Sequence, residues 1–331
     1  MTITAAEPLI VPDASDAQSP DAAPDSIWRR VFASRRIVIS GSVLGLILLA
    51  CLVSLPWTYF DHPPVTRIFY DRQDASLSKI EPTFRNAWLW FGTDLQGRSL
   101  LGRCLLGGAI SLAVGAAAAA ISVLLGVTVG LVAGYRGGWV DAVLMRLVDI
   151  LYGLPYILIV ILFQVAFQNS SLFQWLFGSN RVASVVVLFV AIGLVSWLTM
   201  ARVVRGQVLS LRAQPFIEAC RASGLTEWRI FTRHLLPNLV GPVLVYATLT
   251  VPQAILQESF LSFLGIGIQK PLPSWGSLAS DGLLPALNPI EHRWWLLLFP
   301  CLLLAATLLS LNFLGDGLRD AFDPKRQHAN V

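Results

Sequence analysis

Charge is scarce in this chain: 13% of its 331 residues are Asp, Glu, Lys or Arg, against roughly a quarter in an ordinary soluble domain. Six stretches hold none at all, residues 37–55, 107–135, 150–167, 182–201, 239–257 and 294–315. With 55% of residues hydrophobic and a mean hydropathy of +0.65, the apolar surplus exceeds what one soluble core of this length buries. A bilayer must supply the remaining solvent. The short signatures of catalysis are also missing. There is no GxxxxGKS or GxxxxGKT loop to cradle phosphates, so any ATP hydrolysis falls to another subunit, and no HExxH, GxSxG or intramembrane aspartate pair argues for an intramembrane enzyme. The four cysteines, Cys51, Cys104, Cys220 and Cys301, show no CxxC spacing. They suggest neither a disulfide framework nor a zinc site, and no metal or cofactor is expected. His62, His234, His292 and His328 are scattered without ligand partners. Residues 1–28 lack Lys and Arg and carry five acids, Glu7, Asp13, Asp16, Asp21 and Asp25. Such a segment reads as a disordered tail rather than a signal peptide, and the first apolar run as a retained anchor.

What is present follows bilayer geometry. A helix rises about 1.5 Å per residue, so a hydrocarbon core of about 30 Å takes about 20 apolar residues. The charge-free stretches predict an all-α bundle of six spans. The net charge of +4 comes from Lys and Arg placed between those spans rather than on one stripe, which argues against nucleic acid as a partner. Fifteen of the 24 basic residues fall on alternate flanks: Arg29, Arg30, Arg35 and Arg36, then Arg136 and Arg146, then six between Arg202 and Arg233, then Arg319, Lys325 and Arg326. Basic residues prefer the cytoplasmic side, so both termini are expected there.

Within the second span small residues recur every fourth position, at Ala118, Ser122, Gly126, Gly130 and Gly134. The spacing predicts close helix packing. Pro155, Pro242, Pro252 and Pro300 lie within spans as local bends or hinges. Between spans four and five lies a patterned segment, 202–237, too long for a turn. It contains QPFIEACRASGLTEWRIFTRHLLPN at 214–238. Pro215 suits a helix start and Gly224 a stop, so a short helix holds Glu218, Ala219, Arg221 and Ala222. A second, amphipathic helix follows, with Trp228, Phe231 and Leu235 on one face and Arg229 and Arg233 on another, able to lie along the membrane surface. By physics alone the short helix either docks a soluble partner or covers lipid headgroups, and Glu218 either contacts that partner or is a solvated helix-start carboxylate.

Glu218-Ala219, Gly224 six residues after Glu218, Ile230 and Leu236-Pro237 resemble the EAA loop of binding-protein-dependent ATP-binding-cassette importers, with Cys220 where Ala is usual. Three more stretches resemble the C-type permease of the dipeptide and oligopeptide branch: FGTDLQGRS at 91–99, with Ser99 in place of the usual Asp; ESFLSFLGIG at 258–267 with PSWG at 273–276; and NFLGDGLRDAFDP at 312–324. The resemblance covers roughly 29–326 and implies a type I importer (MetI-like) permease core with an extra N-terminal helix. The expected organisation is a tail at 1–28, a membrane helix at 29–58, an external loop at 59–106, the core at 107–318 with its coupling loop at 202–237, and a tail at 319–331.

The resemblance implies a pore-forming subunit of the plasma (inner) membrane, surrounded by lipid and paired with a second, B-type permease. Two ATPase subunits and an external substrate-binding protein complete the assembly, and the cargo is a peptide, with nickel chelates or another small solute as the alternative. It assigns Glu218, Ala219, Arg221, Ala222, Gly224, Ile230 and Pro237 to the coupling to the ATPase. Glu258, where the fifth span ends, either lines the path and attracts a peptide amine or sits in water at the outer interface. Asp141, Arg146 and Asp149 are expected to pair with each other or with neighbouring loops, and Asp316, Arg319, Asp320 and Asp323 to form a helix-end salt network. A stand-alone secondary transporter or channel is the rival reading, and it would call for paired inverted repeats, broken helices or charged residues inside spans.

Overall fold

The computed structural model describes residues 34–60, 66–167, 170–171, 175 and 180–322. The tail at 1–28, the arginines at 29 and 30, the tail beyond residue 322 with Asp323, Lys325 and Arg326, and His62 and His328 lie outside them. The described residues form helices joined by loops, with no β-strand among them.

Helix α1 (Arg35–Thr58) is apolar all round and leaves Leu46, Leu49 and Val53 exposed, as a helix facing lipid does. Three 3₁₀ turns follow, Thr66–Ile68, Ala75–Leu77 and Ala87–Leu89. They lead into the 91–99 motif, whose hub is the Asp94 carboxylate. It accepts hydrogen bonds from Gln96 N at 2.8 Å, Arg98 N at 2.9 Å, Arg98 Nε at 2.7 Å and Arg103 Nη1 at 2.8 Å. Gly97 turns the chain at φ +74°, and a Cβ there would run into the Asp74 carbonyl. Ser99 caps the next helix, its Oγ accepting from Gly102 N at 3.3 Å. Since Asp and Ser serve equally at that position, its departure from the expected Asp leaves the cap intact.

Helix α2 (Leu100–Arg136) runs 37 residues, starting well before the expected boundary at 107. Its small-residue ridge is buried against α5 (Asn180–Arg212). A Cβ on Gly126 would sit 2.5 Å from Met200 Cβ, one on Gly130 2.5 Å from the Ala201 carbonyl, and one on Gly134 2.9 Å from Val208 Cβ. Glycine lets the two backbones approach closely along this seam.

The third span is the main departure from expectation. Residues 150–167 do not form one helix: α3 (Gly138–Tyr152) and α4 (Tyr156–Phe167) meet at a bend of 89°. Pro155 has no N–H, its ring clashes with the carbonyl four residues back, and it drives Leu154 out of helical backbone, so a bend tolerated elsewhere is here a break. Among the described residues five helices are long and apolar enough to cross a bilayer, or six if the bent pair counts as one span. Asp141 and Asp149 of α3 pair across to α5, with Arg205 Nε at 2.5 Å and Arg202 Nη2 at 2.8 Å.

Two further boundaries move. The first eleven residues of the 202–237 segment continue α5 to Arg212. After the short helix α6 (Pro215–Ala222), the expected second helix is not a separate surface element. Helix α7 (Glu227–Ile230) passes through a π turn, Phe231–Leu235, directly into α8 (Leu236–Phe263), so that 227–263 is one rod. Beyond α8 the 258–276 stretch leads to an additional helix, α9 (Trp275–Leu287), opened by a reciprocal Ser274–Ser277 capping box. Trp275 is wholly buried and donates to the Cys104 carbonyl at 3.0 Å. The last helix, α10 (Trp295–Phe322), carries residues 319–322 beyond the expected end of the core. All four cysteines are free.

Candidate functional site

The short helix of the EAA-like segment is built for display. Pro215 occupies its first turn, where a missing N–H costs nothing, and Gln214 precedes it in extended backbone. It ends in a full Schellman motif: Leu225 N donates to Cys220 O at 3.2 Å and Gly224 N to Arg221 O at 2.9 Å, with Gly224 at φ +76°. Cys220 and Leu225, which flank this cap, both pack against the buried cluster of Ile217, Ile230 and Leu235. A small thiol in place of Ala is therefore absorbed into the packing.

An eight-residue helix does not hold itself together in water. Ile217 fastens it, wholly buried with Ile230 and Leu235 in a cluster that also takes in Tyr135 from α2 and Leu211 from α5. Polar ties surround that cluster. Arg221 Nε donates to Glu227 Oε1 at 2.9 Å, and the Tyr135 hydroxyl lies 2.8 Å from both Glu227 Oε2 and the Glu227 carbonyl. Arg212 Nη1 donates to the carbonyls of Gly134 at 2.9 Å and Tyr135 at 2.8 Å, closing the end of α2. The Glu227 carboxylate also holds the Arg221 guanidinium above its ordinary pKa. On the opposite face Phe216, Glu218, Ala219, Ala222 and Ser223 are exposed.

The residues expected to couple to an ATPase thus divide. Glu218, Ala219, Arg221, Ala222 and Gly224 are together on or beside the exposed helix. Ile230 is completely buried and fastens it. Pro237 is exposed in the first turn of α8, four residues after Arg233, where a proline ring cannot tolerate regular α-helical bonding. The π turn is the accommodation: Leu236 N bonds to Phe231 O, five residues back.

Glu258 does not sit in water at an outer interface. It is wholly buried, its Oε2 accepting from Ser111 Oγ at 2.9 Å and Ser259 Oγ at 3.3 Å, and its Oε1 from Ser262 Oγ at 2.7 Å. Ser262 Oγ in turn accepts from Ile268 N at 3.0 Å, so the carboxyl clamps α8 to α2 and to the turn beyond it.

A cavity of about 420 Å³ lies at the break between α3 and α4, with further walls from α5 and α8. Sequence reasoning missed its polar lining, although Tyr246, Thr250, Gln253 and Gln257 recur at helical spacing inside the fifth span. The signal was legible as a polar face on an otherwise apolar helix.

Comparison with known proteins places these features in context. Residues 126–328 match the family model described as "Binding-protein-dependent transport system inner membrane component". The chain is 50% identical over 303 residues to the oligopeptide transport system permease protein OppC of Escherichia coli (strain K12), covering 91% of this chain and 92% of that protein. It is 41% identical over 298 residues to the dipeptide transport system permease protein DppC of Bacillus subtilis (strain 168), covering 90% and 84%. Among solved structures, a chain of the MetNI methionine ABC transporter in inward facing conformations aligns with a TM-score of 0.51 at 18% identity, over 65% of this chain and 94% of that one. That likeness concerns the fold.

Proposed function

The chain belongs to the family of binding-protein-dependent transport system inner membrane components, and from that premise we propose that it is a pore-forming permease subunit of an ATP-binding-cassette importer of peptides. It is a multi-pass protein of the inner membrane with the fold of a type I importer permease. The observation that carries the reading is the near full-length identity to oligopeptide and dipeptide permeases, joined to a short helix held rigidly to three long ones with one face free.

In this reading the α6 end of the bundle and both termini face the cytoplasm, as the basic flanks favour. Glu218, Ala219, Arg221 and Ala222 meet one of two ATPase subunits, and Gly224 makes the tight exit that keeps the helix proud of the bundle. Closure of the ATPases pushes α6, and the push passes through Ile217, Ile230 and Leu235 into α2, α5 and α8. A second permease of the B type completes the pore, and an external binding protein delivers the peptide. An Ala222→Cys protein that reacted with an impermeant thiol reagent from outside intact cells would overturn the orientation.

The functional test is reconstitution of the chain with the other permease, the ATPases and the binding protein in proteoliposomes. Peptide uptake is expected only with ATP inside the compartment that α6 faces and loaded binding protein on the other side. Uptake that persisted without ATP or without the binding protein would favour the stand-alone transporter instead.

A further inference from the structure

The α8 face that lines the cavity is polar within an apolar span. Gln253 is exposed and Tyr246 nearly four-tenths exposed, at 37%. Next to them Gln257 buries an Oε1 atom that has no hydrogen-bond partner among the described residues. A primary amide facing hydrocarbon costs several kcal/mol, roughly 4–8 on an alkane scale, so this face is not a lipid face. A break in a helix is likewise tolerated inside a membrane protein only where it is covered by protein or lines a cavity. The α3–α4 break, with Leu154 and Tyr156, lines this one. Two independent features therefore mark the same space as one that holds something polar.

The chemistry of the walls narrows what that is. Among the lining residues there is no Asp, Glu, Lys, Arg, His or Cys, so the cavity has neither ligands for a metal ion nor a counter-charge for a peptide terminus. What it has is hydroxyls from Ser196, Thr199 and Thr250, two amides, and the side chains of Tyr152, Tyr156 and Tyr246. Each Gln amide offers one acceptor and two donors, the same complement of groups that a peptide bond needs. Side chains at i and i+4 on a helix stand about 5–6 Å apart. Alternate peptide groups of an extended chain recur at roughly 7 Å. The volume of about 420 Å³ falls in the range of small-ligand sites, about 300–1,000 Å³.

We propose that the α8 stripe of Tyr246, Thr250, Gln253 and Gln257 is a cargo-contact surface that holds a peptide by its backbone amides through neutral hydrogen bonds, whatever its side chains. The proposal rests on the peptide-importer reading and assigns the contact to residues other than Glu258. Neutral contacts of this kind are individually weak, which suits a surface that must release what it holds.

The test uses the complete reconstituted complex and two probes, trialanine and trialanine methylated on the amide nitrogen of its middle residue, each supplied as saturating loaded binding protein so that the membrane step is compared. Gln253→Leu together with Gln257→Leu is expected to slow trialanine uptake roughly tenfold, the worth of two such hydrogen bonds, while co-purification with the second permease and the ATPases is unchanged. The unchanged complex is expected to favour trialanine over its methylated form, and the double variant to lose that preference. Gln253→Asn with Gln257→Asn keeps the amides on shorter stems and is expected to retain part of both, which guards against a folding defect in the leucine variant. Equal uptake of trialanine by the leucine variant and the unchanged complex would overturn the proposal. So would equal handling of the two probes by the unchanged complex, or loss of the second permease from both variants, which would make the stripe a subunit contact. Failure of the unchanged complex to take up either peptide would instead overturn the importer reading, and this surface with it.

Discussion

Gly224 offers a clean separation between a residue needed for its backbone and one needed for its contacts. It sits at φ +76°, and a Cβ added there meets nothing within 4 Å. Substitution therefore brings no steric clash, only the cost of left-handed backbone for an L-residue, about 1–2 kcal/mol. Asn tolerates that region, Ala does not, and a β-branched residue tolerates it least. The expected order of damage is Gly224→Asn, then Gly224→Ala, then Gly224→Val. Because α6 is too short to be stable alone, the cost appears as local opening rather than global unfolding. The direct readout is amide hydrogen exchange at Gly224 and Leu225, whose N–H groups close the Schellman motif. At about 1.4 kcal/mol per tenfold, exchange should quicken roughly fivefold for Ala and roughly thirtyfold for Val, with Asn close to the unchanged protein. Binding of the ATPase should weaken in the same order. If Asn weakened ATPase binding as much as Val while exchange at Leu225 stayed slow, the position would act through direct contact, and the backbone argument would be wrong.

Other perturbations probe the rest of the frame. Glu218→Lys reverses an exposed charge without touching the buried Ile217, so the chain should insert and assemble with its partner permease but lose the ATPase on co-purification; retention of the ATPase would remove Glu218 from the docking surface. Gly130→Leu drives a side chain into the Ala201 carbonyl and Val204 and should cost about 1–3 kcal/mol or more from overpacking, read as a lower melting temperature in detergent. Glu258→Leu strands Ser111, Ser259 and Ser262 and should destabilise by about 1–3 kcal/mol per unmet group. Glu258→Gln, which still offers an acceptor, should cost less and leave peptide uptake near its original rate; a selective loss of uptake in that variant would return Glu258 to the path.

Much of this molecule is legible in the sequence because lipid is an unforgiving solvent. A charge-free run of about 20 residues has few alternatives to a helix, and the Ala118-to-Gly134 ridge names its packing face at once. The start and stop of α6 were readable from Pro215 and Gly224, because each has a local geometric reason. The failures share the opposite property. Pro155 within an apolar run is compatible with a gentle kink or a right-angled break, and sequence alone does not say which. Helix α9 hid behind Asp281 and Pro285, which depress a hydropathy window, although the Ser274–Ser277 box marked its start. The burial of Glu258 was not legible either, because a lone carboxylate near the end of a span looks functional by default. The serines that satisfy it come from 147 residues away in one case and from the next helical turn in another. No window of sequence holds all of them.

The rod from Glu227 to Phe263 has a consequence for how this chain tolerates change in length. Ile230 and Leu235 at one end fix the azimuth of the short helix α6, while Gln253 and Gln257 farther along fix the azimuth of the cavity wall. Each residue inserted or deleted between them would swing one end about 100° relative to the other, and no intervening loop exists to absorb the error. Point substitutions along that interval should be forgiven far more readily than any insertion or deletion, which makes it a poor place for a tag, a spacer or a natural indel.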